Sequence, residues 1–328
     1  MRNFIVSDLH GNGYVYDSII NFLENERQYG CDDITLYING DLIDRGINSG
    51  SMLVDVFKRI NDKELFNIEY LAGNHEAMMY KTYLKSKDLY YDSFLSEYSS
   101  YVAFNWVNNN GGMITRNYLL ENYSKENISK LIENVGYLNI YHKFDETIDD
   151  KNIILVHACP VRGMLKGDKI LLNENSIRVE LALWERINES ILPGRLFNNN
   201  YFNIIGHTAC MNKYGFKYDK EDNVLNIDGA SSYFGYYEAN YLLKNDKNIS
   251  FDKYDLDIKS KLDENSHVPL IEIDSKNNKI NILVFNHKNE IIYGKYLIEG
   301  NIYDMDSSLL NSYRNNLKEN AKVKKRKI

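Results

Sequence analysis

Gly40-Asp41-Leu42-Ile43-Asp44-Arg45-Gly46 is the stretch on which the fold assignment turns. It follows the apolar run Ile34 to Ile38 and precedes Met52, Leu53, Val56, Phe57 and Ile60, whose spacing is that of one helical face. The pattern is strand, polar loop, helix, and it recurs on both sides. Upstream, Asn3 to Val6 runs into Ser7-Asp8-Leu9-His10-Gly11, followed by a helical stretch with Ile19, Ile20, Phe22 and Leu23 on one face. Downstream, Ile68 to Ala72 leads into Gly73-Asn74-His75-Glu76. Repeated units of this kind predict an α/β fold. Ligands in such sheets bind beyond the carboxyl ends of the strands, so the three loops are expected to meet at one edge.

The loops carry metal-binding chemistry. In near-extended backbone, residues two apart point the same way, so Asp8 and His10 are expected to grip one ion. Asp41 adds a carboxylate and Asn74 an amide oxygen. His157, after the strand Asn152 to Val156, and His207, after Phe202 to Ile205, add imidazoles. The chain has seven histidines, and four of them (His10, His75, His157 and His207) directly follow predicted strands; His142, His267 and His287 do not. One histidine after a strand reads as structural, but four beside Gly, Asp, Asn or Thr read as a site. Mixed oxygen and nitrogen donors without a thiolate suit manganese first, then iron or zinc.

Composition narrows the function. The net charge is −7, which gives no general attraction to nucleic acid or an anionic membrane. No apolar run reaches membrane-spanning length, and the amino terminus lacks a signal-peptide pattern. Cys31, Cys159 and Cys210 are too few and scattered for a disulfide framework, so a cytoplasmic setting is expected. The 27 tyrosines and many asparagines carry no functional message by themselves.

The three blocks, with His157-Ala158 and Gly206-His207-Thr208, resemble the signature blocks of the phosphoprotein phosphatase (PPP) branch of calcineurin-like metallophosphoesterases. The resemblance is closest to the bacterial and phage-lambda type of serine/threonine protein phosphatase, through Trp106 to Gly112 and Trp184-Glu185-Arg186. It covers about residues 3 to 231, with a further strand near Val268 to Ile273. It implies a sandwich of two mixed β-sheets flanked by helices. It also implies two divalent ions, one on Asp8, His10 and Asp41, the other on Asp41, Asn74, His157 and His207. Hydroxide bridging the ions would attack a phosphate monoester of the phosphoserine or phosphothreonine type. Arg45 and Arg186 would clamp the phosphoryl oxygens, and His75, oriented by Asp44, would protonate the leaving group. The substrate is then a phosphorylated protein or a small phosphoester.

Plainer readings stand beside these. Asp44 would serve as a helix cap, and Arg186, on a helix predicted over Ile177 to Ile187, as an ordinary exposed arginine. Arg162 is either a second clamp or a loop arginine. Trp106 and Trp184 read as packing residues, and Asp228-Gly229 as structural. Ser7 stands where the family usually has Gly, and Cys159 and Cys210 read as ordinary buried or loop cysteines, the alternative being that one of these thiols makes the site sensitive to oxidation. The chain reads as one metallophosphoesterase domain over 1–300, with a helical segment at 76–135 and a polar surface insertion at 235–266, read as without catalytic consequence or, alternatively, as shaping substrate choice. A helical or disordered basic tail follows at 301–328. Two other functions share these residues: a nucleotide hydrolase (symmetrical dinucleoside tetraphosphatase or phosphodiesterase), and a non-catalytic scaffold on the same fold.

Overall fold

The computed structural model describes residues 1–30, 33–62, 65–88, 100–161, 169–174, 176–186, 200–246, 262–264, 266–288 and 290–324. The first three strand–helix units are β1 (Arg2–Val6), α1 (Gly13–Tyr29), β2 (Ile34–Asn39), α2 (Ser49–Asp62), β3 (Asn67–Leu71) and α3 (Asn74–Asp88). A helical segment follows: α4 (Tyr101–Phe104), a π-helical turn Asn105–Asn109, α5 (Gly112–Asn122) and α6 (Lys125–Gly136). Next come β4 (Tyr141–Ile148), β5 (Lys151–Val156), α7 (Ile177–Trp184), β6 (Tyr201–Ile205), β7 (Lys217–Asp219), β8 (Val224–Asn226) and α8 (Ser231–Asp246). The chain closes with β9 (Val268–Asp274), β10 (Lys279–Phe285), β11 (Ile291–Ile298), β12 (Asn301–Asp304) and α9 (Ser307–Lys324).

The strands form two mixed sheets. One runs β12-β11-β10-β9-β1-β2-β3 and the other β4-β5-β6-β8-β7. In the first, β1, β2 and β3 are parallel, with Val6 opposite Ile38 and Asn39 opposite Leu71, while β9 runs antiparallel to β1. In the second, β5, β6 and β8 are parallel. Parallel pairing puts the loops after β1, β2 and β3 at one end of their sheet, and likewise those after β5, β6 and β8.

Side-chain alternation separates two cores. Ile5, Tyr37, Ile271 and Ile282 pack with Phe144, Leu155, Ile204 and Leu225 of the other sheet. Phe4, Val6, Leu36 and Ile38, one residue out of phase, pack under the helices with Leu23, Leu53 and Trp106. Burying both faces explains why β1 and β2 read as continuous apolar runs rather than alternating ones.

Two regions add to the sequence reading. Residues 301–324, read as a helical or disordered tail, hold β12, which extends the larger sheet, and the helix α9, which packs on α1 with Tyr313 against Phe22 (5.7 Å) and the Asn25 side chain donating to Asn316 O. The 235–266 stretch is not all surface loop. Its first part belongs to α8, and residues 247–261 lie outside the described residues, as does the basic end from 325. Strands β4, β7 and β12 had no clear period-two signal; β7 and β12 are edge strands of three and four residues.

Candidate metal centre and active site

The strand-end loops of both sheets meet, and backbone groups tie them together. The Asn39 side chain donates to Val156 O (3.1 Å), His157 Nδ1 lies 2.9 Å from Asn39 O, and Gly206 N donates to His157 O (2.8 Å). This close approach depends on glycine. A Cβ on Gly40 would lie 2.5 Å from the backbone of Gly73 and 2.9 Å from His157 Nδ1, and one on Gly206 would lie 2.1 Å from Asp8 Oδ2. Gly40 also has φ of +75°, where any side chain is strained.

The loop residues are bent, not extended. Asp8, His10, Asp41, Asp44, Arg45 and His207 all have positive φ, between 44° and 72°. Such left-handed conformations cost non-glycine residues of order 1–3 kcal/mol each and persist where surrounding contacts hold them. The alternation expected for Asp8 and His10 is therefore absent, and a left-handed turn brings the two side chains into one pocket instead. That pocket, about 270 Å³, has a lining that includes Asp8, His10, Asp41, Arg45, Asn74, His75, Arg186 and His207.

Two clusters share Asp41. Its Oδ2 lies 3.4 Å from His10 Nε2 and 3.9 Å from His75 Nε2, and its Oδ1 lies 3.4 Å from His157 Nε2. The ligand atoms of His10, Asp41 and His75 lie within 4.8 Å of one another, as do those of Asp41, His157 and His207. Asn74 Oδ1 joins the second group, 3.1 Å from His157 Nε2 and 2.9 Å from His207 Nδ1. Asp8 falls outside both groups. Its two oxygens accept from His207 N (3.1 Å each), and one also faces the Ser7 hydroxyl. Ser7 thus has a partner that glycine would lack.

The electrostatics suit a cation. Asp8, Asp41 and Asp228 are all buried in this pocket. Burial, with Asp228 and Asp41 nearby, pushes Asp8 well above the usual carboxylate range, and burial pushes Asp228 up to about 6. Burial opposes ionisation of Asp41 too, but His157, His75 and His10 hold it well below that range. Burial lowers His157, yet Asp41 and Asp8 hold it up to about 10. Burial pulls His207 down to about 3, and burial with Arg45 takes His10 well below its ordinary value. Among the described residues, the His157 ring nitrogens face acceptors: Asn39 O at Nδ1, and Asp41 and Asn74 oxygens at Nε2. Oxygen and imidazole lone pairs converging in this way fit divalent first-row ions.

His75 and Asp44 form a separate, buried pair. His75 Nδ1 lies 2.7 Å from Asp44 Oδ2, which also accepts from Trp106 Nε1 (2.7 Å), while Asp44 Oδ1 accepts from the Thr115 hydroxyl (2.6 Å). Asp44 is fully buried, and among the described residues its carboxylate partners are these three side chains rather than the backbone N–H groups of a helix start. Trp106 packs in the core as expected but also donates to this carboxylate. His75 Nε2 faces Arg45 Nη2 at 3.0 Å, and Arg45 Nη1 lies 3.2 Å from His10 Nε2.

Arg186 lies past the end of α7, not on it, and donates from Nη1 to His207 O (3.1 Å) at the pocket. Trp184 is 38% exposed, with its ring centroid 6.4 Å from that of His207 and the planes near perpendicular, so it is not a core residue. Arg162 lies outside the described residues. Cys159 and Cys210 are buried, and burial pushes each thiol up to about 12, which disfavours the reactive thiolate.

A family model for calcineurin-like phosphoesterases matches residues 1–211. The chain belongs to that family. As a metallophosphoesterase it is a metal-dependent phosphoester hydrolase, and its two-sheet sandwich is the fold of that family. A solved protein serine/threonine phosphatase from Saccharomyces cerevisiae shares 14% identity, covering 87% of this chain and 80% of its own, with a TM-score of 0.52. A cold-active protein tyrosine phosphatase shares 15%, covering 94% and 80%, with a TM-score of 0.46. A metallophosphoesterase from Sphaerobacter thermophilus shares 18%, covering 69% and 67%, with a TM-score of 0.36. No curated protein matches by sequence. Among the described residues, no helix is long and apolar enough to cross a membrane.

Glu76, within the Gly73-Asn74-His75-Glu76 block, also has a role at the site. Its carboxylate accepts from Asp41 N (2.8 Å), Gly73 N (2.8 Å), Leu42 N (3.1 Å) and the Tyr70 hydroxyl (2.7 Å), binding two of the loops together. An acidic residue in a helix's first turn was the available signal. Asp228, read as structural, lines the pocket, and its place after β8 was the clue. Thr115 had none.

Proposed function

We propose that this metallophosphoesterase hydrolyses phosphate monoesters of the phosphoserine or phosphothreonine type. The observation that carries the reading is the buried Asp44–His75 pair at the pocket. An alkoxide leaves poorly unless it is protonated, and a positioned imidazole supplies that proton.

Asp8, His10 and Asp41 would hold one divalent ion, and Asp41, Asn74, His157 and His207 a second, with manganese the first candidate and iron or zinc the others. Bound ions supply a water of lowered pKa and charge that draws in the phosphoryl oxygens. The His10 and His157 Nδ1 atoms face backbone carbonyls, which fixes each ring with Nε2 toward the site. Asp8 lines the same pocket, and its oxygens also accept from the His207 backbone N–H.

Arg45 and Arg186 flank the pocket and would orient the phosphoryl group through paired hydrogen bonds. Drawing the Arg45 guanidinium toward phosphate takes it off His10 Nε2 and His75 Nε2, which frees both nitrogens. His75 then holds a proton at Nε2 for the leaving oxygen. Asp44, accepting at Nδ1, fixes the ring and stabilises its protonated form, while Trp106 and Thr115 hold Asp44 in place. A phosphorylated protein or small phosphoester is the expected substrate.

The test compares three substrates with manganese-loaded protein: a phosphothreonine peptide, a dinucleoside tetraphosphate and a cyclic nucleotide. Preferential turnover of the peptide supports the reading. Preferential turnover of either nucleotide would replace it with a nucleotide hydrolase.

A further inference from the structure

Helix α8 forms a wall of the pocket, and its sequence puts aromatic rings there. Tyr233 and Tyr236 are three apart, on one helical face, and both line the pocket with Arg45, His75 and Asn109. They are 52% and 40% exposed. The Tyr236 ring lies over the Arg45 guanidinium, 5.7 Å from centroid to carbon, and its hydroxyl reaches Asn109 O at 3.5 Å.

Two exposed tyrosines alone mean little. Here the helix is also fixed in place against the catalytic loops. A Cβ on Gly235 would meet Gly46 N at 2.9 Å and His10 O at 3.1 Å, so only glycine allows this approach. Ser231 donates to Leu9 O (3.0 Å) and accepts from the Asn12 side chain (3.1 Å). Phe234 stacks on His287, with ring centroids 3.6 Å apart and 4° between planes. The contacts that anchor α8 thus come from residues between the two tyrosines and at its start, leaving both rings turned to the pocket.

Position decides which part of a substrate they meet. Arg45 touches both Tyr236 and His75 Nε2, the atom assigned to the leaving oxygen. We infer that Tyr233 and Tyr236 form a subsite for a planar ring on the leaving-group side of the phosphoryl group. The inference rests on the monoesterase reading above. The ring has two possible sources: the esterified group itself, as in phosphotyrosine, or an aromatic residue next to a phosphorylated serine or threonine. Aromatic contacts of this kind are worth roughly three- to tenfold in affinity.

The test measures binding of phenylphosphonate and cyclohexylphosphonate, similar in size but only one flat, to manganese-loaded protein by calorimetry. Wild type is expected to prefer phenylphosphonate, and Tyr233→Ala and Tyr236→Ala each to reduce that preference roughly three- to tenfold. A preference that is absent, or unchanged in both variants, would overturn the subsite, including where the variants weaken both ligands equally through a disturbed helix. If neither phosphonate binds wild type, the phosphoryl site itself fails and the subsite with it. Turnover of a phosphotyrosine peptide, and of phosphothreonine peptides with Trp or Ala alongside, then tells the two sources apart.

Discussion

Asp44→Asn isolates the role of one carboxylate in an otherwise unchanged pocket. Asp44 accepts three hydrogen bonds, from His75 Nδ1, Trp106 Nε1 and Thr115 Oγ1, with no exposure to solvent. Asparagine keeps the shape. Its oxygen can still accept from His75 and Trp106, and its amide can donate to the Thr115 hydroxyl, which has a free lone pair. What disappears is the charge. Bonds to charged groups contribute about 1 kcal/mol more than neutral ones, so three of them put the stability loss at about 3 kcal/mol. The rate loss is larger and selective. Without the carboxylate, His75 loses the partner that fixes the ring and supports its protonated form, and general-acid catalysis of this kind is worth ~10²–10⁴. The assay is kcat on a phosphothreonine peptide and on p-nitrophenyl phosphate, whose leaving group needs little protonation, with bound metal measured in parallel. The expected result is a ~10²–10⁴-fold fall on the peptide, a much smaller fall on the aryl ester and unchanged metal content. Equal falls on the two substrates would refute the acid role of the pair.

Glu76→Gln turns an amide N–H toward donors that now meet a carboxylate, leaving at least one backbone N–H of Asp41, Leu42 or Gly73 unsatisfied; thermal melts should show a loss of about 3 kcal/mol or more, and weaker metal binding. Gly235→Ala, favourable by helix propensity, should instead cost about 1–3 kcal/mol, because the added Cβ meets Gly46 and His10; an unchanged melting temperature would mean that α8 does not sit against those loops. Burial, with His267 nearby, pulls His287 down to about 3 against 6.5 for its ordinary value. Between those two values the unfolded chain binds the extra proton, so stability rises with pH and is lost on acidification by up to about 1.4 kcal/mol per unit. Denaturant titrations from pH 6.5 to 4 should show a shallower slope for His287→Gln than for wild type, and equal slopes would exclude His287 as the cause.

Much of the site was legible because its chemistry lies at strand ends. Asp8, Asp41, His157 and His207 each follow a buried apolar strand, and the parallel pairing of β1 with β2 and of β5 with β6 delivers them to one place. Local spacing failed for Asp8 and His10, since φ at the end of β1 depends on contacts with the loop after β2, including His10 N donating to Asp41 O (2.9 Å). Thr115 and Trp106 were invisible as partners of Asp44 because more than sixty residues separate them in the chain. Tyr233 and Tyr236 were hidden among many tyrosines, and it is the seating of α8 through Ser231, Phe234 and Gly235 that brings them to the pocket. The same limit applies to α9, whose burial against α1 rests on Tyr313 and Phe22 meeting across almost the whole chain.

Asp41 faces both imidazole clusters, so the proposed metal-dependent phosphomonoesterase activity depends on its carboxylate. The most direct test is hydrolysis of p-nitrophenyl phosphate by metal-stripped protein with manganese added back, beside Asp41→Asn. Turnover is expected to appear only with metal and to be abolished in the folded variant. Turnover that is equal with and without metal, or preserved in Asp41→Asn, would contradict the proposal.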